Sequence, residues 1–60
     1  MSIGELYEDS VSLIFIRWID TDGVERFTQY QGKDPEREVT RIRARRLPDY
    51  GYVIVADAVN

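Results

Sequence analysis

Between Leu13 and Ile19 the chain reads Leu-Ile-Phe-Ile-Arg-Trp-Ile, a run that is apolar on both faces of an extended strand. Side chains alternate across a strand, so Val11, Leu13, Phe15 and Ile19 point one way and Ile14, Ile16 and Trp18 the other. A strand of this kind belongs in the middle of a sheet, with cover on each side. The last segment repeats the pattern. Tyr52, Ile54, Ala56 and Ala58 form one apolar set, and Val53, Val55 and Val59 form the other.

Only sixty residues are present to supply that cover, enough for a single domain spanning 1–60. A chain of this length buries roughly 60 % of the surface that its unfolded form exposes, and its stability margin is thin. Small domains commonly add disulfides, a structural metal or a partner. Cysteine and histidine are both missing, which removes disulfides, thiolate zinc sites and imidazole ligands together. Tight packing or association remains, and association is the stronger expectation. Residues 1–9 are acidic and mixed, unlike a signal peptide. The longest apolar stretch, Leu13 to Ile16, falls far short of the ~20 residues of a membrane span. A soluble, cytoplasmic protein is expected.

Val11 to Asp20, rich in β-branched and aromatic residues, predicts a first strand. Asp20-Thr21-Asp22-Gly23 then suits a type I turn closed by a glycine bulge, and Val24 to Gln31 the returning strand. Asp34-Pro35 has the form of a helix start, an acceptor at the N-cap followed by proline at the first helical position. Glu36 and Glu38 precede the arginines, as the helix dipole favours, and Pro48 ends the segment near Arg46 or Leu47. Tyr52 to Val59 reads as a third strand. The expected fold class is α+β: a small ββαβ domain whose three-stranded, mostly antiparallel sheet, order 2-1-3, carries one helix on one face. Residues 1–9 form a flexible or short helical N-terminal segment through Ile3, Leu6 and Tyr7. One helix leaves one sheet face short of cover. Either the N-terminal segment folds across it, or a second copy or a foreign partner does.

The net charge of −3 conceals an asymmetry. Residues 1–32 carry six acidic side chains against Arg17 and Arg26. Residues 33–47 carry Lys33, Arg37, Arg41, Arg43, Arg45 and Arg46 against three acids. On a helix, Arg37, Arg41 and Arg45 fall on one line, opposite Val39 and Ile42. Such a stripe suits phosphates or an acidic protein surface, because arginine forks bind either in bidentate fashion. It equally describes a solvated face. Tyr50 and Tyr52, flanking Gly51 at a strand entrance, form an amphipathic contact edge of a type enriched at interfaces. The expected partner-binding residues are therefore Arg37, Arg41, Arg45, Lys33, Tyr50 and Tyr52.

Catalytic machinery is not apparent. Nucleophile–base pairs lack their usual members, and Ser10 and Ser12 read as plain strand-edge serines. Asp20-Thr21-Asp22-Gly23 fails as a calcium loop, since Trp18 and Gln29 would occupy positions that need carboxylates. No glycine-rich phosphate loop is present. Neither a catalytic residue, a metal ligand nor a cofactor is expected, and neither a membrane nor a small-molecule substrate is expected as a partner. The order of an acidic hairpin, one helix and a closing strand is similar to small bacteriophage proteins that bind and inhibit host enzymes, one of them bacterial RNA polymerase. The resemblance is topological and implies only a stand-alone protein-binding module. The expected function is a non-enzymatic protein-interaction domain that modulates a host protein, with a homodimer as one form of association. A nucleic-acid binder using the arginines with Lys33 is the alternative, made less favourable by the net negative charge. A structural subunit of an assembly is the third.

Overall fold

The computed structural model describes residues 1–59. Helix α1 (Ile3–Asp9) is followed by strands β1 (Ile14–Ile19), β2 (Glu25–Gln29), β3 (Val39–Leu47) and β4 (Gly51–Ala58). The four strands form one sheet of order β2-β1-β4-β3. β1 pairs antiparallel with β2 and parallel with β4, and β3 pairs antiparallel with β4. The class is α+β with one helix, as expected, and the first and last strands lie side by side as the 2-1-3 order requires. The sheet, however, has four strands rather than three, and the element order is αββββ rather than ββαβ.

The difference lies in residues 34–47, which do not form a helix. Asp34 adopts a left-handed φ of +50° and its carbonyl accepts the Arg37 N–H at 3.1 Å. Asp34-Pro35-Glu36-Arg37 is thus a single turn. Proline's fixed φ serves the second position of a β-turn as well as the first turn of a helix. From Val39 onward the chain extends along β4, with Arg43 opposite Val55, Ala44 opposite Ile54 and Arg45 opposite Val53. A helix here would bury only a narrow stripe of Val39, Ile42 and Leu47. The strand instead completes the ladder of β4, whose Val53, Val55 and Ala56 are buried. The likeness to bacteriophage inhibitors, which rested on a helix at this place, loses its basis.

The hairpin β1–β2 is built as the sequence predicts. Gly23 N–H donates to the Asp20 carbonyl and Asp20 N–H to the Val24 carbonyl, both at 2.9 Å, and Gly23 has φ +82°. This conformation strongly favours glycine.

Helix α1 begins with a capping box. The Ser2 hydroxyl accepts the Glu5 N–H at 3.2 Å, and the Glu5 carboxylate accepts the Ser2 N–H at 3.1 Å. The helix start is pinned to the 34–37 turn by Ile3 N–H to the Arg37 carbonyl and Gly4 N–H to the Pro35 carbonyl, each 2.8 Å. Ile3, fully buried, packs with Ile14, Ile16, Tyr30 and Ala56, and Leu6 packs beside them. The N-terminal segment therefore supplies the one helical cover. The other face holds a second, thinner cluster of Phe15, Val53 and Val55 with Leu47.

Candidate functional site

The strand register assigns each functional side chain to a face. The side of the sheet opposite α1 displays Glu25, Phe27 and Gln29 from β2, Phe15, Arg17 and Ile19 from β1, Val53, Val55 and Asp57 from β4, and Arg41, Arg43, Arg45 and Leu47 from β3. No helix lies over this side among the described residues.

A row of alternating charge crosses all four strands. Glu25 holds Arg17 at 2.7 Å, Arg17 lies 3.8 Å from Asp57, and Asp57 accepts from Arg43 at 2.9 Å. Asp57 is the best shielded of the four, its side chain 16 % exposed. Beside the row stands an aromatic ledge. Phe15 stacks on Phe27 with centroids 5.4 Å apart and meets the Tyr50 ring edge-on at 5.2 Å. Phe27 and Tyr50 are exposed on their outer sides. Arg41 and Arg45 flank Arg43 on β3, and neither has an acidic partner among the described residues. At the strand rise, their Cα atoms are ~13 Å apart.

Of the residues expected at the site, Arg41, Arg45 and Tyr50 share this open face. Arg37, Lys33 and Tyr52 do not. The Arg37 guanidinium lies 4.6 Å over the Trp18 ring, within 3.5 Å of Asp34, and bonds the Val59 carbonyl at 3.4 Å. It braces the helix side of the sheet. Lys33 and Arg37 line an open hollow of about 220 Å³ on that side, with Trp18, Tyr30 and Asp34. Tyr52 lies opposite Arg46, on the face away from the arginine row, and is 78 % exposed. Trp18 is half-buried against the helix-side cluster, whereas Phe27 is an exposed wall of the ledge.

The helical spacing of four that grouped Arg37 with Arg41 and Arg45 gives way to a spacing of two. Arg43 joins them, and Asp57, Arg17 and Glu25 complete the row. The signal was present in Arg41-Ile42-Arg43-Ala44-Arg45, a strict alternation of period two.

The described residues contain no group of three or more metal-ligating side chains and no helix long and apolar enough to cross a membrane. No known protein family, curated protein or solved structure matches the chain.

Proposed function

We propose that this chain is a non-enzymatic protein-binding module that holds an acidic partner against the open face of its sheet. One observation carries the reading: Arg41 and Arg45, without an acidic partner among the described residues, share the open sheet face with the exposed aromatic ledge of Phe27 and Tyr50. Aromatic residues and arginine are the side chains enriched where proteins meet, and they supply most of the binding energy there. The charge row makes the face a poor sink for a purely apolar partner, because covering it would desolvate Glu25, Arg17, Asp57 and Arg43. An acidic surface with an apolar or aromatic centre complements it.

Nucleic acid fits less well. Binders of that kind neutralise several phosphates, whereas this face offers two arginines without an acidic partner among the described residues and also carries Glu25 and Asp57, in a chain of net charge −3.

The test is capture from a nuclease-treated lysate of the source cell, comparing the wild-type chain with Arg41→Ala/Arg45→Ala and with Arg26→Ala. Arg26 lies on the other face and pairs with Asp20 at 3.2 Å. A protein retained by the wild type and by Arg26→Ala but lost with the double variant supports the reading. Equal capture by all three refutes it. Binding that appears only when nuclease is omitted, and that collapses with salt, selects nucleic acid instead.

A further inference from the structure

β3 is nine residues long and forms one edge of the sheet. Such an edge turns the N–H and C=O groups of alternate residues outward. Its first residues are already occupied by the chain itself. Ser2 bridges Glu38 in antiparallel fashion, and the Val39 N–H donates to the Met1 carbonyl at 2.9 Å. The N-terminal segment then turns away into α1, and from Arg41 to Leu47 no strand lies on the outer side of β3, away from β4, among the described residues. The edge thus accepts a strand at its start and is open beyond it. No proline interrupts this stretch, and the single register shift falls before it, between Val39 and Arg41.

Resting on the protein-binding reading above, we propose that the partner supplies an extended acidic segment that adds to β3 as a fifth strand. The side chains define its pattern. On the open face the added strand meets Arg41 and Arg45, which call for a carboxylate at each of two positions four residues apart. The position between them meets Arg43, whose guanidinium already bonds Asp57, so a small polar residue suffices there. The intervening positions meet Ile42 and Ala44 on the opposite face. Ile42 is 48 % exposed and Ala44 is exposed too, so apolar residues belong there. The segment therefore reads acid–apolar–polar–apolar–acid. In this mode main-chain bonds supply affinity and alternate side chains supply specificity.

A second copy of the chain is a poor occupant. Two β3 edges paired antiparallel would set Arg41, Arg43 and Arg45 of both copies together on one face, and like charges placed opposite one another destabilise a sheet. The other edge, β2, offers Glu25 as its only acid, already held by Arg17.

The probe is the peptide Thr-Glu-Val-Thr-Val-Glu-Thr, acetylated and amidated. Its pattern is the same in either direction, so it suits parallel and antiparallel addition alike. Titrated into the ¹⁵N-labelled full chain, it is expected to shift the amides of residues 41–47 and to slow hydrogen exchange at Ile42, Ala44 and Arg46, the residues whose N–H groups point away from β4. Arg41→Ala and Arg45→Ala should each weaken it by roughly two- to fivefold, the range of exposed ion pairs. Lysine in place of both glutamates should abolish binding. Proline in place of both the central threonine and the valine after it keeps both charges but removes a main-chain donor to β3 in either strand direction, and should also abolish it. Three results overturn strand addition: no binding at millimolar peptide, unchanged binding of the proline peptide, or shifts confined to Phe15, Phe27 and Tyr50. Self-association through residues 41–47 in the absence of peptide overturns it as well, assigning the edge to a second copy. An inert peptide together with lysate capture that still depends on Arg41 and Arg45 defeats the edge mode alone and leaves the open-face reading standing.

Discussion

Replacing Ile3 with alanine tests whether the N-terminal helix is part of the fold or an ornament on it. Ile3 has no exposed surface and packs with Ile14, Ile16, Tyr30 and Ala56. Truncating a buried isoleucine costs about 2–5 kcal/mol, more when the surroundings cannot collapse into the gap. A sixty-residue domain has about 3–9 kcal/mol in total, at ~0.05–0.15 kcal/mol per residue. The loss is therefore comparable to the whole, and the melting temperature should fall by roughly 10–40 °C. Urea denaturation followed by Trp18 fluorescence and far-ultraviolet circular dichroism measures it, with Ile3→Val as a control expected to cost about 0.5–1.5 kcal/mol. A reduced slope alongside a reduced midpoint would mean that the helix has left a still-folded sheet, since the slope tracks the surface exposed on unfolding. A loss under about 1 kcal/mol with an unchanged slope would refute the claim that Ile3 anchors the helix to both central strands.

Gly4→Ala should destabilise, although alanine is favoured over glycine in a helix by about 1 kcal/mol, because a Cβ there would lie 2.7 Å from the Pro35 Cβ and 3.0 Å from its carbonyl oxygen. A higher midpoint in urea would show that the 34–37 turn gives way freely. Tyr30→Phe should leave stability unchanged or raise it by up to about 1 kcal/mol, since its hydroxyl is buried with no hydrogen-bond partner among the described residues. A measurable loss in the same assay would contradict this. Burial, then Asp34 and Glu36, also push the Tyr30 phenol above its ordinary value. Acid should destabilise the fold through two carboxyl groups. The Ser2 N–H and hydroxyl hold Glu5 below its ordinary 4.5, while the Thr21 N–H, then Arg26, hold Asp20 below its ordinary 3.8. Groups lowered in this way contribute stability above their unfolded values and lose it as pH falls through the folded ones. Melting temperatures from about pH 6 to about pH 2 should therefore fall less steeply for Glu5→Gln and Asp20→Asn than for the wild type.

The first hairpin was legible because its information is local. Asp20-Thr21-Asp22-Gly23 names a turn, and the apolar run before it names a central strand. Ile14, Ile16 and Trp18 join one cluster and Phe15 the other. Val11, Leu13 and Ile19 are exposed, and the strand starts at Ile14 rather than Val11. The sequence places β4 beside β1 through a crossover helix that does not form; the two-sided apolar pattern of both strands is the signal that survives. Residues 34–47 misled because their punctuation is ambiguous. Asp-Pro opens turns as readily as helices, and arginine and glutamate have high helix propensity. Tertiary pairing overrode that propensity. A helix would have lined up arginines and buried little, whereas the strand gives β4 a partner along nearly its whole length. Two signals went the other way: the alternation through Arg41-Ile42-Arg43-Ala44-Arg45, and Leu47-Pro48-Asp49-Tyr50-Gly51, whose Tyr50 N–H returns to the Leu47 carbonyl at 3.2 Å. The helix itself was announced by Ser2-Ile3-Gly4-Glu5, a capping box. Of the open face, Arg41, Arg45 and Tyr50 were legible; the row through Glu25, Arg17, Asp57 and Arg43 exists only once the register is known.

The parallel contact between β1 and β4 divides the molecule in time. Each hairpin closes over a few residues, but Ile14 meets Ile54 only after forty have been gathered in. Each doubling of a closed loop costs about 0.6 kcal/mol, so closing this seam in an otherwise open chain would carry ~2 kcal/mol beyond a hairpin. Forming the two hairpins first shortens what remains to be closed. Two ribbons, residues 14–29 and 39–58, can form early and independently, and the slow event is their meeting. Ile3 rests on Ile14 and Ile16 of one ribbon and on Ala56 of the other. Its seat does not exist until the seam has closed, so the residues that come first in the chain are the last to settle.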